Sequence, residues 1–186
     1  RAFNAYVKGN IEHFSDVKLT DWFYEYIAKA YQMGIIKGYG EFMRPNDPIT
    51  REEAFVIIAR AFKLKPAEKA NKSFSDLDGV SDWAKGEVYA LINAGYVQGV
   101  HGKLNPKGLI TRAEFAQVMY NILKHYIGTT EKVASILDGN AVINIPGVEL
   151  KDTTINGDLI IGDGVGDGSV IIDNVKVSGR LVIRGG

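Results

Sequence analysis

A chain of 186 residues is long enough to bury a sizeable core, as one large domain or as two smaller ones. Its basic and acidic residues balance at 22 each, which argues against a nucleic-acid-binding protein, since such a protein carries a clustered basic excess. Cysteine is absent, which excludes disulfides and cysteine-ligated metal sites, and no apolar run reaches the roughly 20 residues of a transmembrane helix.

The first two thirds of the sequence contain an internal repeat. "FSDV" at Phe14 returns as "FSDL" at Phe74, and "RAF" at Arg1 returns at Arg60. A slightly longer shift superposes Trp22 on Trp83, Gly34 on Gly95, Pro45 on Pro106 and Arg51 on Arg112. We therefore predict the end of a preceding repeat in residues 1–13 and complete repeats in 14–73 and 74–127, and we expect the chain to be a piece of a longer protein.

Each repeat is predicted to fold as helix, loop and helix. The first helix is expected to start near Thr20-Asp21 or Ser81-Asp82, residues whose side chains can cap free amides, and to end at Gly34 or Gly95. Apolar residues at helical spacing mark the second helix, namely Phe55, Ile58, Ala59 and Phe62 in one copy and Ala116, Met119, Tyr120 and Leu123 in the other. The fold class of this part is therefore mainly α.

The second helix of each copy opens with the pattern of a capping box, in Thr50-x-x-Glu53 and in Thr111-x-x-Glu114. The threonine hydroxyl is predicted to accept from the glutamate amide, while the glutamate carboxylate reaches back to the threonine amide. This pairing explains these four residues by stability alone.

Arg51 and Arg112 occupy the first helical position, where the helix dipole disfavours a cation. An anion held there would meet a guanidinium group and free backbone amides together, so the duplicated arginine predicts a site for an acidic ligand. The alternative is an arginine that is exposed, or one that is paired with a nearby carboxylate such as Asp16, Asp76 or Glu52.

At these residues the sequence resembles the S-layer homology repeat of bacterial cell-surface proteins. The likeness lies in the ordered pattern from "FSDV" to "ITREEA", which returns from "FSDL" to "ITRAEF". It covers Arg1 to about Tyr126 and implies three repeats packed as a pseudo-threefold helical bundle. The tetrapeptide of the family, Thr-Arg-Ala-Glu, is intact at Thr111–Glu114 but reads Thr-Arg-Glu-Glu at Thr50–Glu53, where the extra carboxylate is expected to weaken attraction for an acidic sugar.

The resemblance also implies a function. Grooves between such repeats bind secondary cell-wall polysaccharide, commonly with pyruvylated amino sugars, and so hold the protein to peptidoglycan at the extracellular cell wall. On this basis the predicted ligand-binding residues are Arg51, Arg112, Trp22, Trp83, Asp16 and Asp76. The two tryptophans are expected either to wall a groove or to pack in the core beneath the first helix.

Beyond Gly128 the sequence changes to short β-branched runs separated by glycine and asparagine. "INGDLII" at Ile155 matches "VSGRLVI" at Val177, which predicts about two stacked rungs of a β-solenoid. We assign residues 128–147 to a linker with the first strand and residues 148–186 to the rungs, whose open end is expected to continue in a larger domain.

The glycine-rich loop "GDGVGDGS" carries Asp163 and Asp167, a weak candidate for calcium. A turn between rungs is favoured there, because the usual calcium patterns are not matched. No metal, cofactor or catalytic residue is predicted, since the three histidines are scattered and the phosphate-binding, dinucleotide-binding and nucleophile motifs are absent.

We therefore predict a non-catalytic module that anchors a surface protein to cell-wall polysaccharide, with self-association as a further option. Two other functions stay open. One is the N-terminal fragment of a carbohydrate-active β-helix enzyme, and the other is a subunit of a self-assembling S-layer lattice.

Overall fold

The computed structural model describes residues 8–183. The chain forms two compact units that divide between Val118 and Met119. The first unit is helical and the second is built from parallel strands, so the predicted fold class of helical repeats followed by a β-solenoid is confirmed. Residues 1–7, part of the predicted end of a preceding repeat, lie outside the described residues.

The described residues contain four α-helices, two for each repeat. They are α1 at Tyr24–Gln32, α2 at Arg51–Ala61, α3 at Lys85–Asn93 and α4 at Arg112–Ile122. A short 3-10 helix, Leu77–Gly79, precedes α3. None of these helices is long and apolar enough to cross a membrane.

α1 and α3 begin later than predicted, at Tyr24 and Lys85, and neither has a side-chain cap. The residues expected to cap them are used elsewhere. Asp21 accepts a hydrogen bond from the amide of Lys18 at 2.7 Å, and Ser81 donates its hydroxyl to Glu52 at 2.8 Å. Polar residues before a helix favour turns as well as caps, so the sequence located these helices more accurately than it located their first residues.

Both first helices end as predicted, at Gly34 and Gly95, in the left-handed conformation. The amide of Ile35 donates to the carbonyl of Ala30 and that of Tyr96 to Leu91, each at 3.0 Å. These bonds satisfy carbonyl groups that a helix end otherwise leaves without partners.

The helical core is made by side chains from both repeats, and α2 packs against α3. Phe55, Ile58 and Ala59 of α2 are accordingly buried. The matching stripe of α4 was predicted wrongly, because Ala116 and Tyr120 are exposed whereas Val118 and Ile122 are buried. A helix of the next repeat covers this face of α2, but within residues 8–183 no further α-helix follows α4.

The second unit is a β-solenoid of about three turns, with every strand pair parallel. Its strands are β1 at His125–Ile127, β2 at Ile136–Asp138, β3 at Ala141–Ile143, β4 at Glu149–Lys151, β5 at Thr154–Asn156, β6 at Leu159–Ile161, β7 at Ile171–Asp173, β8 at Lys176–Val177 and β9 at Leu181–Ile183. They form three sheets in the orders β1-β3-β6-β9, β2-β5-β8 and β4-β7. Inward apolar side chains such as Leu150, Ile155 and Leu159 fill the interior.

The solenoid begins earlier than predicted, because β1 to β3 lie in or before the segment assigned to a linker and first strand, residues 128–147. The rungs therefore number about three rather than two. The length of a rung is the sequence separation between residues that pair on neighbouring strands. Ile136 pairs with Thr154, and Thr154 pairs with Lys176, which is farther along the chain, so the missed rung is the shorter of the two. A search at a single spacing finds the second relation and not the first.

Candidate functional site

The duplicated arginine has different surroundings in the two repeats. Arg51 is 6% exposed, and its Nε donates to the carbonyl of Leu104 at 2.8 Å. Its guanidinium group forms an ion pair with Glu114 at 2.5 Å and lies over the ring of Phe55, 5.3 Å from the centroid. Arg112 is exposed. Arg51 thus joins the first repeat to the second.

The amides at the start of α2 are also occupied. The backbone N–H of Arg51 donates to Gly108 at 2.8 Å, and that of Glu52 donates to Pro106 at 3.0 Å. An anion at this helix start would have to displace both carbonyl groups and the Glu114 carboxylate. A ligand contact by Arg51 therefore stays a prediction, and its observed partners all belong to the protein.

Glu52, the residue that departs from the family tetrapeptide, is 3% exposed. Its carboxylate accepts from the amide of Ser81 at 3.0 Å, from the hydroxyl of Ser81 at 2.8 Å and from the ammonium group of Lys107 at 2.6 Å. The interpretation that this carboxylate weakens attraction for an acidic sugar is corrected by these contacts. A charge that is buried and paired in this way stabilises the contact between the repeats and does not face solvent.

Both capping boxes have the expected hydrogen bonds. In the first, the amide of Thr50 donates to Glu53 at 2.6 Å and the amide of Glu53 donates to the Thr50 hydroxyl at 3.3 Å. In the second, Thr111 and Glu114 repeat the arrangement at 2.9 and 3.2 Å. The Thr111 amide, and after it the Thr111 hydroxyl and Arg51, lower the pKa of Glu114 against the opposing effect of burial.

Asp16 and Asp76 brace the loops that lie between the helices of each repeat. Asp16 accepts from the amides of Met43 at 2.8 Å and Arg44 at 2.7 Å, and Asp76 accepts from Leu104 and Asn105, both at 2.8 Å. Burial opposes the effect, but these amide hydrogen bonds lower the pKa of both carboxyl groups. Each carboxylate oxygen of these two residues already accepts a hydrogen bond from a backbone amide, which makes it less available to a sugar. The ligand role of Asp16 and Asp76 stays a prediction.

A groove of about 470 Å³ lies between the two repeats. One wall is the loop from Ile35 to Ile49, a second is the face of α2 that carries Glu53, Val56, Ile57 and Arg60, and the third is Trp83 of the second repeat. Its lining includes three basic side chains, Lys37, Arg44 and Arg60, and two acidic ones, Asp47 and Glu53. A mostly apolar cleft with a few fixed polar groups is the usual form of a small-ligand site.

The two tryptophans, one in each repeat, are exposed, and neither belongs to the core. Trp83 is 51% exposed and lines the groove. Trp22 is 83% exposed and does not line that groove; its ring lies 5.5 Å from that of Phe23 and 6.4 Å from that of Tyr26. An exposed indole beside a cleft presents a flat apolar face of the kind on which a sugar ring stacks.

Tyr39 connects the groove loop to α2. Its hydroxyl donates to Glu53, and the Arg44 guanidinium lies over its ring, 5.0 Å from the centroid. Burial, together with the hydrogen bond to Glu53, raises the pKa of Tyr39 to about 12, so the hydroxyl remains protonated and donating at neutral pH. Sequence reasoning missed Tyr39, Lys37 and Arg44. The sequence pointed to these residues only through the different residue types at the matching positions of the second repeat.

The "GDGVGDGS" segment connects β6 to β7 and contains a short 3-10 helix, Asp163–Val165. It accounts for the longer second rung, and a turn between rungs is what the structure shows. The side chain of Asp163 lies outside the described residues. Among the side chains that are described, no cluster of three or more histidine, aspartate or glutamate residues is placed to hold a metal ion.

Comparison with known proteins identifies the helical part. The S-layer homology domain model matches residues 13–55 and 73–116. The relatives include the exoglucanase XynX of Acetivibrio thermocellus, 43% identical over 116 residues, and the surface-layer 125 kDa protein of Lysinibacillus sphaericus, 36% identical over 130 residues. The matches cover 60% and 67% of this chain, and the chain spans 11% of the length of each relative.

Among solved structures, this chain is similar in part to the chitinase ChiW of Paenibacillus sp. str. FPU-7, a multi-modular enzyme expressed at the bacterial cell surface. It is 40% identical, with a TM-score of 0.31, and the match covers 33% of this chain and 94% of that one.

S-layer homology domains are anchoring modules that attach surface proteins to the bacterial cell wall, and their presence places this chain at the extracellular cell wall. Residues 13–55 and 73–116 are two S-layer homology domains.

Proposed function

We propose that the chain anchors its protein by binding secondary cell-wall polysaccharide in the groove between the two repeats, with a pyruvylated amino sugar as the bound unit. The observation that supports this most is the groove itself, which combines an exposed indole, an apolar floor and unburied cations in about 470 Å³. That volume falls within the range of small-molecule sites and suits one or two sugar rings.

In this proposal Trp83 stacks on a sugar ring, while the loop from Ile35 to Ile49 forms another wall of the groove. Arg51 and Glu52 act indirectly, because they hold the second repeat, and with it Trp83, against the first. Arg112 is exposed, and a contact with an acidic ligand remains our prediction for that residue.

The relatives support anchoring as the shared role. One is named an exoglucanase and another a surface-layer protein, and this chain matches 11% of the length of each. A module found in proteins with such different names is best explained by a role that does not depend on catalysis, and anchoring is such a role. Catalysis or lattice formation by the whole protein is a separate proposal that would rest on its other regions.

The test is co-sedimentation of the 186-residue chain with purified cell walls, before and after removal of the secondary polysaccharide. We expect binding only to walls that retain the polymer, and a loss of roughly tenfold in Trp83→Ala, in line with about 0.5–1.5 kcal/mol for a stacked aromatic contact beyond its buried area. Trp22→Ala is the matched control and should bind as the unmodified chain does. Equal binding to both wall preparations would contradict the proposal.

A further inference from the structure

The three cations that line the groove differ in their partners. Arg60 is bonded to Glu87 at 2.8 Å. Lys37 and Arg44 are exposed, and within residues 8–183 neither side chain has a carboxylate oxygen within 4.0 Å. The two are therefore the groove cations available to an anionic ligand.

Arg44 is held in place, whereas Lys37 stands on a flexible side chain. The Arg44 backbone adopts a left-handed conformation, with φ of 55°, and its amide is fixed by Asp16 at 2.7 Å. Its guanidinium group packs over Tyr39, which is in turn bonded to Glu53. A guanidinium that is already ordered loses little entropy when it binds a carboxylate, and its planar fork matches the two carboxylate oxygens.

Acidic groups near Arg44 limit what the site accepts. Asp16 and Glu53 already accept hydrogen bonds from amides or hydroxyls, while Asp47 is exposed on the groove wall. Of the side chains that line the groove, Arg60 is paired with Glu87, which leaves Lys37 and Arg44 against the carboxylates of Asp47 and Glu53. This balance suits one carboxylate on an otherwise neutral sugar better than a polyanion.

The second repeat lacks the same arrangement. At the positions that match Lys37, Tyr39 and Arg44 it has Gln98, Val100 and Asn105. Asn105 adopts nearly the same backbone conformation, with φ of 52°, and its amide is bonded to Asp76 at 2.8 Å. Both repeats therefore have this loop conformation, but only the first carries an arginine and a tyrosine at these positions.

We infer that Arg44, ordered by Tyr39, binds the carboxylate of an acidic sugar in the groove and sets the preference for acidic over neutral sugar units. This inference rests on the proposed function and assigns its specificity to a residue outside the duplicated Thr-Arg-x-Glu motif. Tyr39 is a positioning residue, because it acts through Arg44.

The test is calorimetric titration of the 186-residue chain with two probes, a pyruvylated N-acetyl amino-sugar glycoside and the same glycoside without the pyruvyl group. We expect the chain to prefer the acidic probe and Arg44→Asn to weaken that binding by about tenfold or more, as for loss of one charge-assisted hydrogen-bonded pair. Affinity for the neutral probe should not change. Asparagine tolerates the left-handed backbone, so this variant is expected to fold.

Lys37→Gln is the matched control, because it removes one positive charge from the same groove and leaves Arg44 in place. It should change affinity for the acidic probe by less than about threefold, the scale of a screened surface charge. Equal losses in both variants would overturn the specific role of Arg44. Tyr39→Phe, which keeps the ring, should retain the preference, and Tyr39→Val should reduce it.

The outcomes separate the two proposals. If Trp83→Ala weakens binding of both probes while Arg44→Asn keeps the acidic preference, the groove stands and the inference about Arg44 fails. If the unmodified chain binds neither probe, the proposed function fails and the inference fails with it.

Discussion

The two repeats present nearly the same motif in opposite environments. Arg51 is buried and joins one repeat to the next, whereas its counterpart Arg112 is exposed. Trp83 lines a groove, whereas Trp22 stands almost fully in solvent. The comparison shows that the motif specifies its own helix start through the capping box, and that the element packed against it decides what its other side chains do.

The largest expected difference between the repeats concerns the two arginines. Arg51→Ala removes a mostly buried cation and leaves the Leu104 carbonyl and Glu114 without it, so we expect a loss of about 2–4 kcal/mol in the free energy of unfolding. Arg112→Ala should stay within about 0.5 kcal/mol, as is usual for an exposed site. Urea unfolding followed by tryptophan fluorescence reports on the helical unit, which contains both tryptophans. Equal losses would contradict the account.

The second difference concerns the residue after each arginine. Glu52→Ala leaves the Ser81 amide and Lys107 without their shared acceptor, and we expect a loss of about 1–3 kcal/mol. The reciprocal change, Ala113→Glu, makes the two tetrapeptides identical at an exposed position and should stay within about 0.5 kcal/mol. The same unfolding measurement applies, and an unaffected Glu52→Ala variant would show that this buried carboxylate contributes little.

A smaller effect is expected from acid. The pKa of Glu114 is lowered, by its capping bonds and by Arg51, from an ordinary value of 4.5. A carboxyl group whose pKa is lower in the folded state contributes stability that is complete above pH 4.5 and is lost as the pH falls through the lowered pKa. The unfolding free energy should therefore decrease below pH 4.5, and less steeply in Arg51→Ala, which removes one cause of the shift. A steeper decrease in that variant would contradict the assignment.

The elements that the sequence predicts correctly depend on local patterns. The capping threonines, the glycine ends of α1 and α3 and the rung relation between Ile155 and Val177 can all be read from neighbouring residues or from one fixed shift. The misjudged features depend on distant partners. Arg51 contacts the carbonyl of Leu104 in the next repeat, and Ser81 bonds to Glu52 rather than capping α3, so neither contact leaves a trace in the local sequence.

The same distinction between local patterns and distant partners applies to the functional site. The exposure of Trp83 beside a groove follows from how the second repeat packs on α2, which the repeat pattern alone does not specify. Lys37, Tyr39 and Arg44 stand out only when the two copies are compared for their differences, whereas a search for repeats attends to identities.

The most direct test of the central claim uses the fact that the chain has two tryptophans, one in the groove and one outside it. We would record the two indole N–H signals by nuclear magnetic resonance while purified cell-wall polysaccharide is added. If the groove binds the polymer, the Trp83 signal should shift or broaden while the Trp22 signal stays unchanged. A response from Trp22 alone would contradict binding in the groove.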